Sequence, residues 1–367
     1  MPETLSRRRV LDLRLHAQQL GRPAGSVAGT AVLDLGVQDT GPDGGRWALA
    51  LRGVDVAALA PDELVTAWTL RGAPHLYRRA DLAGVVAATA PFSEADAAKR
   101  IHDAARPLRA AGIPVLTALD TVAAAMRAAV REPTAKGELS ARLTRELPEP
   151  YLRYCRPCGA THLFEQPFRL AALRAGLELE PGTSPPVLRP VPGLRPAAGT
   201  PAALDVVRGC LRLLGPTTPA LVAAYLEAPV ADVRARWPEE AVEVAVDGAR
   251  RWLLAADAER AAGVPAAEGV LLLGPFDPFL QARDRDLLVS DAERARQLWP
   301  VLGRPGAVLA DGEPVGAWRP RAAGRRLTVT AELWRRPTAR LRAGVEEGAA
   351  RLAAHRGVTL AAVELTG

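Results

Sequence analysis

Two clusters of side chains in this chain have types and spacings that could do chemistry. The first is Gln38-Asp39-Thr40, which closes the stretch Leu33-Asp34-Leu35-Gly36-Val37 and runs into Gly41-Pro42-Asp43-Gly44-Gly45, a dense turn signal. An amide and a hydroxyl side by side can hold one water molecule by two hydrogen bonds. In an extended segment Gln38 and Thr40 share a face, and the Asp39 carboxylate takes the other. A kinked or helical segment would bring Asp39 to the same side. The plainer reading is a surface turn whose polar residues cap backbone groups.

The second cluster is Cys155-Arg156-Pro157-Cys158 with His162 four residues on. Thiolates at C-x-x-C spacing beside an imidazole are zinc ligands by type. A closed structural site needs a fourth ligand, and the sequence has no second C-x-x-C and no H-x-x-x-H. Cys210 stands alone among apolar neighbours. The expectation is therefore a turn between two strands, with no metal and no cofactor. Three cysteines are also too few for a disulfide framework.

Composition limits what these clusters can serve. The 367 residues exceed one small core and imply two to four modules. Hydrophobic content of 49% and charged content of 24% are those of a globular protein in water. No apolar run reaches the roughly 18 residues a membrane span needs. Residues 1–9 are polar and basic and lack the apolar core of a signal peptide. A cytoplasmic, nucleoid-associated monomer with no membrane partner is expected. Net charge is +6, and lysine occurs only at Lys99 and Lys136, the other cations being arginine. With abundant Ala, Gly and Pro, that skew fits the codon bias of a high-GC genome. It permits nucleic-acid binding without requiring it.

The elements that must position these residues follow from periodicity and breakers. Helices are expected over residues 7–20, from 46, from the Pro61-Asp62-Glu63 opening, over 92–109 with Ser93 as cap, over 115–130 and over 136–145. Residues 68–77 read as a strand broken at Gly72-Ala73-Pro74. Strands at 151–154 and 162–164 complete the order helix, break, helix, strands, which is that of a winged helix-turn-helix. Residues 181–201 read as a Pro/Gly linker. The same order repeats beyond it and ends in a hairpin about Asp247-Gly248. A buried strand at 270–273, a second hairpin about Asp311-Gly312, a strand at 327–333 and a helix over 339–355 give the last quarter the look of a small barrel or curled sheet. Arg71, His75, Arg78 and Arg79 would form one basic surface. Lys136, Arg142 and Arg145 lie on a short helix, Arg283 and Arg285 in a charged loop, and Arg319, Arg321, Arg325 and Arg326 about a hairpin tip. Each could meet phosphates, or be a solvated face.

With these pieces in order, the chain resembles the AlkZ-like DNA glycosylases, a winged-helix superfamily that includes the YcaQ-like enzymes. Four stretches carry the likeness: Leu35-Gly36-Val37-Gln38, Leu70 to Leu76 with Arg71-Gly72 and His75, Leu213 to Thr218, and Leu271 to Val289 together with Val308 to Arg319. The resemblance implies an α+β fold of tandem winged helices around a C-terminal β-barrel. Its expected parts are a first winged helix at 1–110, a second at 111–182, a linker at 183–200, a third at 201–265, and barrel plus helix at 266–367. It implies damaged double-stranded DNA as partner and excision of alkylated bases, N7-adducted purines and interstrand crosslinks among them. The family motif is Gln-x-Gln or Gln-x-Asp; here Gln38 keeps the first place and Thr40 stands at the last.

That departure sets two readings side by side. A monofunctional glycosylase would hold its hydrolytic water on Gln38 with Thr40 or Asp39. A catalytically silent winged-helix protein would bind DNA without releasing a base. A third reading gives the chain no nucleic-acid role, its arginines being genomic in origin.

Overall fold

The computed structural model describes residues 3–42 and 44–367; Asp43 of the expected turn, and Met1 and Pro2, lie outside it. The chain divides into two compact units. One comprises Met1–Ala60, Gly209–Leu221 and Pro238–Gly367, and the other Pro61–Arg208 and Val222–Trp237. The expected boundaries near 110 and 182 both fall inside the second of these.

In the first unit, helix Arg7–Ala17 starts where the Ser6 hydroxyl accepts the Arg9 N–H at 3.2 Å. It buries Val10, Leu11, Leu13 and Leu15. Strand Glu3–Leu5 runs parallel to Ala241–Val246, which turns at Asp247-Gly248 into Ala249–Leu254. Both turn residues have left-handed backbone (φ 47° and 81°), the geometry an Asp-Gly hairpin needs. Asp311-Gly312 repeats it between Gly306–Ala310 and Glu313–Ala323.

The last quarter is an open five-stranded sheet rather than a barrel. Its order is Val270–Leu273, Gly306–Ala310, Glu313–Ala323, Arg326–Leu333 and Thr359–Thr366. The first and last of these strands stay unpaired to each other. The final strand, unanticipated in the sequence reading, adds parallel to Arg326–Leu333 after helix Ala339–His355 has crossed over. That helix lies close on the sheet: a Cβ at Gly344 would meet Val270 Cγ2 at 2.5 Å. The crossover helix covers the face that a barrel would have closed around.

The second unit holds strands hydrogen-bonded in the order Pro74–Arg78, Leu64–Trp68, Leu177–Leu179, Val187–Pro190 and Thr134–Ala135, and a separate pair, Leu152–Cys155 and Ala160–Leu163. Packed with them are helices Glu94–Arg100, Ala105–Ala110, Val115–Ala129, Lys136–Glu146 and Glu165–Arg174. Trp68, Ile101, Leu119, Met126, Leu143 and Phe168 meet in one core.

Three expectations are corrected here. Pro61-Asp62-Glu63 opens a strand, because Leu64 to Trp68 are buried at every position and rich in β-prone types. The linker at 183–200 contains strand Val187–Pro190, in which Leu188 is wholly buried between two neighbouring strands. The helix from Ser93 breaks at Ile101, after which His102 has φ 53° and the chain restarts as Ala105–Ala110. Ser93 does cap its beginning, accepting the Asp96 N–H at 3.1 Å.

Candidate functional site

Buried Leu33, Leu35 and Val37 anchor the stretch that leads to the polar trio. The alternation is not that of a long strand. Ala31–Asp34 is one 3-10 turn, Gly36 has φ 87°, and only Val37–Gln38 is extended. Beyond it the Gln38 amide nitrogen donates to the Thr40 hydroxyl at 3.2 Å, both side chains being half-buried. Asp39 points elsewhere. Its Oδ1 accepts the Gly45 N–H at 2.7 Å, at the start of helix Gly44–Ala50. Gly44 has φ 44°, and any Cβ there would collide with that carboxylate. Burial raises the Asp39 pKa above the ordinary carboxylate value, opposed by the Gly45 N–H and the Arg46 charge. Asp39 thus does the capping work of the plainer reading, while Gln38 and Thr40 form a separate polar pair.

Thr40 lines a cavity of about 410 Å³. The walls come from four segments far apart in sequence: Thr40 to Pro42 with Gly44 and Ala48 of helix Gly44–Ala50, Gly274 to Asp277, Gly303 to Gly306, and Trp318 to Pro320 of strand Glu313–Ala323. Three buried contacts fix them. The Trp47 indole donates to Leu272 O at 2.8 Å, and the Trp318 indole to Leu273 O at 2.8 Å. Gly306 leaves room for the second of these, since a Cβ would overlap the Trp318 ring nitrogen. The third is Arg52, whose guanidinium is held by both Asp277 oxygens (2.9 and 3.0 Å), by Gln18 O and Oε1, and by Ala48 O. That ion pair is wholly buried, and its hydrogen bonds are what make it tolerable. Over the cavity, the Arg304 guanidinium lies 5.1 Å from the Phe276 ring. Beside Gly303, Val301 and Leu302 are 99% and 86% exposed. Arg304, Val301 and Leu302 were not singled out from the sequence. The available signal was the Gly and Pro residues at Gly41-Pro42, Gly274-Pro275 and Gly303 to Gly306.

The expected basic residues fall into different settings. His75 is a correction: it is 1% exposed and not part of a basic surface. Its Nδ1 donates to Ala73 O at 2.9 Å and lies 3.1 Å from the Thr69 hydroxyl, itself 2.8 Å from the Tyr77 hydroxyl. Burial, then the Arg71 charge, lowers the His75 pKa to about 3, so the ring is neutral. Arg71 stacks 4.7 Å from the Tyr225 ring and donates to Tyr225 O at 3.0 Å. Arg78 pairs with Asp81, Arg79 with Glu178, Lys136 with Glu165 and Arg142 with Glu138. Arg285 stacks on Trp299 at 5.0 Å, and Arg283 is half-buried beside it in sequence. Exposed are Arg145 on helix Lys136–Glu146, and Arg319, Arg321, Arg325 and Arg326 along the hairpin whose tip is Gly324. Arg319 donates to Gly303 O at 2.6 Å, Arg325 to Gly357 O at 3.0 Å, and Arg321 lies 3.8 Å from Glu364.

Cys155, Cys158 and His162 do come together, at the end of the hairpin Leu152–Cys155 and Ala160–Leu163. A hydrogen bond with His162, then those with Cys158, bring the Cys155 thiol down to about 7.

The mixed α+β architecture agrees with the comparison to known proteins. The family model described as DNA glycosylase AlkZ-like matches residues 32–355, and the chain belongs to that family. The solved structure of Streptomyces sahachiroi DNA glycosylase AlkZ is similar, with a TM-score of 0.75 at 20% identity, covering 99% of this chain and 100% of that one. At that identity the likeness is one of fold. No curated protein matches the chain. Among the described residues no single helix is long and apolar enough to cross a membrane.

Proposed function

We propose that the chain is a monofunctional DNA glycosylase that hydrolyses the N-glycosidic bond of N7-alkylated purines, interstrand crosslinks included. The observation that carries the reading is the Gln38–Thr40 pair, 3.2 Å apart, of which Thr40 lines the cavity. A purine alkylated at N7 is already cationic. As its C1′–N9 bond breaks, the electron pair neutralises the departing ring, so no strong acid is needed. What remains is an oxocarbenium-like sugar that must meet a water. Thr40 accepts from the Gln38 amide, which leaves its own O–H to donate to that water, while the amide oxygen is of the type that accepts a hydrogen bond from water. The water oxygen bonds to C1′, and its proton is lost to solvent. An ion this reactive needs a placed water more than a strong base. Asp39, tied to the Gly45 N–H, supports the loop rather than the chemistry.

The cavity's size lies within the roughly 300–1,000 Å³ of small-molecule sites, and its apolar walls suit an extruded base. The exposed arginines from Arg319 to Arg326 would follow the backbone of a damaged duplex, and Val301 and Leu302 would press against the bases left behind. In this reading the helix–helix–hairpin orders within 1–110, 111–182 and 201–265 serve as winged helices, and Arg145 is a phosphate contact of the second. The protein acts as a monomer on DNA inside the cell.

The test is release of N7-methylguanine from a duplex by the purified protein. Wild type should release the base, and Gln38→Ala should release it about 100-fold more slowly. Equal release, or none from either across several adducts, removes the proposal. A second reading rests on Asp39 being occupied and Thr40 carrying no charge: a silent damage-binding protein. Salt-sensitive duplex binding without base release would select it.

A further inference from the structure

The hairpin Leu152–Cys155/Ala160–Leu163 forms a two-stranded sheet of its own, and its end has little apolar support. Tyr154 is 65% exposed, Cys155 half-buried and Cys158 exposed. Isolated two-stranded hairpins are marginal in water. Yet this tip is shaped with some care. Cys155 pairs in register with Ala160 and Arg153 with His162, which returns His162 beside the first cysteine. Gly159, with φ 63°, turns the chain immediately after the second cysteine, and its N–H donates to Arg156 O at 3.2 Å. The Cys158 backbone N–H is directed to the Cys155 sulfur. The ligating atoms of Cys155, Cys158 and His162 all lie within 4.8 Å of one another. His162 Nδ1 sits 2.8 Å from Leu163 O and so carries its proton there, which leaves the Nε2 lone pair as the available donor atom.

We infer that this tip is a zinc site in which Cys155, Cys158 and His162 bind one Zn²⁺ and solvent holds the fourth position. Two soft sulfurs and one imidazole nitrogen select a thiophilic d¹⁰ ion over magnesium or calcium. Tetrahedral bonds of about 2.3 Å to sulfur and about 2.0–2.1 Å to nitrogen need the donor atoms a little under 4 Å apart, a small contraction from the present spacing. The two thiols bind as thiolates, and their protons go to solvent. Among the described residues no fourth Cys, His, Asp or Glu joins the group. Cys155, Cys158 and His162 line a groove of about 780 Å³ together with Lys136, Arg153 and Arg169 among others. Glu165, also on that groove, is held by Lys136 and Arg169 at 2.8 and 2.6 Å and is no spare ligand. The ion joins the two strands across the tip, in place of the apolar contacts it lacks.

The experiment uses the full chain, reduced and stripped with a chelator, titrated with Co²⁺ and then Zn²⁺. One equivalent of cobalt should raise a thiolate-to-cobalt charge-transfer band with the visible bands of a four-coordinate ion, and zinc should displace it. Thermal unfolding should shift upward with zinc by mass action. Cys158→Ser and His162→Gln, at exposed or half-exposed positions, should abolish the band or weaken binding by about 10-fold or more, the scale seen when even outer-shell partners are lost. Reduced wild-type protein without a cobalt–thiolate band overturns the site. So does a band that survives both substitutions.

Discussion

Two sets of arginines in the first unit lie within a few residues of the same cavity and do opposite things. Arg52 is sealed beneath it, with its guanidinium shared between Asp277, Gln18 and Ala48. Arg319, Arg321, Arg325 and Arg326 run out along a hairpin into solvent, with backbone carbonyls or a distant glutamate as partners. The first is part of the scaffold: it ties helix Gly44–Ala50 to the turn that carries Phe276. The others are available to a polyanion. Arginine content alone cannot separate the two roles. Burial and the number of fixed acceptors do.

The comparison breaks most visibly beneath the cavity. Asp277→Ala should leave the Arg52 charge buried without its carboxylate and cost about 3–5 kcal/mol of stability, read by urea or thermal unfolding. If the unfolding midpoint does not move, the buried pair is not the scaffold described here. Beside Thr40, Gln38→Ala should lower base release by about 100-fold, the loss typical of one oriented catalytic hydrogen-bonding group, with unchanged unfolding. An effect confined to stability would make Gln38 structural.

A titration sharpens the contrast for the second unit. His75 is held neutral down to about pH 3, below the ordinary 6.5 of an unfolded chain. Between those values the unfolded chain binds a proton that the native one does not, so stability rises with pH across that window. It is lost on acidification, by up to about 1.4 kcal/mol per pH unit from this group. His75→Gln should flatten that part of the curve; an unchanged slope would assign acid lability elsewhere. The smallest effect on stability belongs to the exposed hairpin. Replacing Arg321, Arg325 and Arg326 together by Gln should move unfolding by no more than about 0.5 kcal/mol. The same change should reduce the slope of log K against log salt for duplex binding by about 2.7, if each contacts one phosphate. An unaltered slope removes the hairpin from the DNA contact.

Local signals were the legible part of this fold. Both Asp-Gly hairpins, the Ser93 cap and the helices Val115–Ala129, Lys136–Glu146 and Ala339–His355 sit where composition and period place them. What escaped depends on partners far off in sequence. Val187–Pro190 reads as linker because prolines surround it, and becomes a strand only when Leu188 is covered by neighbours from residues 134 and 179. Thr359–Thr366 is a strand because Arg326–Leu333 offers an edge. For the site, alternation placed Gln38 and Thr40 together, but their neighbour's bond to Gly45 required the turn geometry. The cavity was invisible, being assembled from segments far apart in sequence, from Thr40 to Pro320. His75 looked like surface beside three arginines, and its burial follows from the strand pairing of Leu64–Trp68 with Pro74–Arg78.

The claim at the centre is that the amide of residue 38 and the hydroxyl of residue 40 place one water together. Single-turnover release of N7-methylguanine by Gln38→Ala, by Thr40→Val and by the double variant tests it directly, Val keeping the shape of Thr while removing its hydroxyl. Because the two groups would act as one unit, both single changes should slow release, and the double change should be hardly worse than either. Release by Gln38→Ala at the wild-type rate would contradict the account.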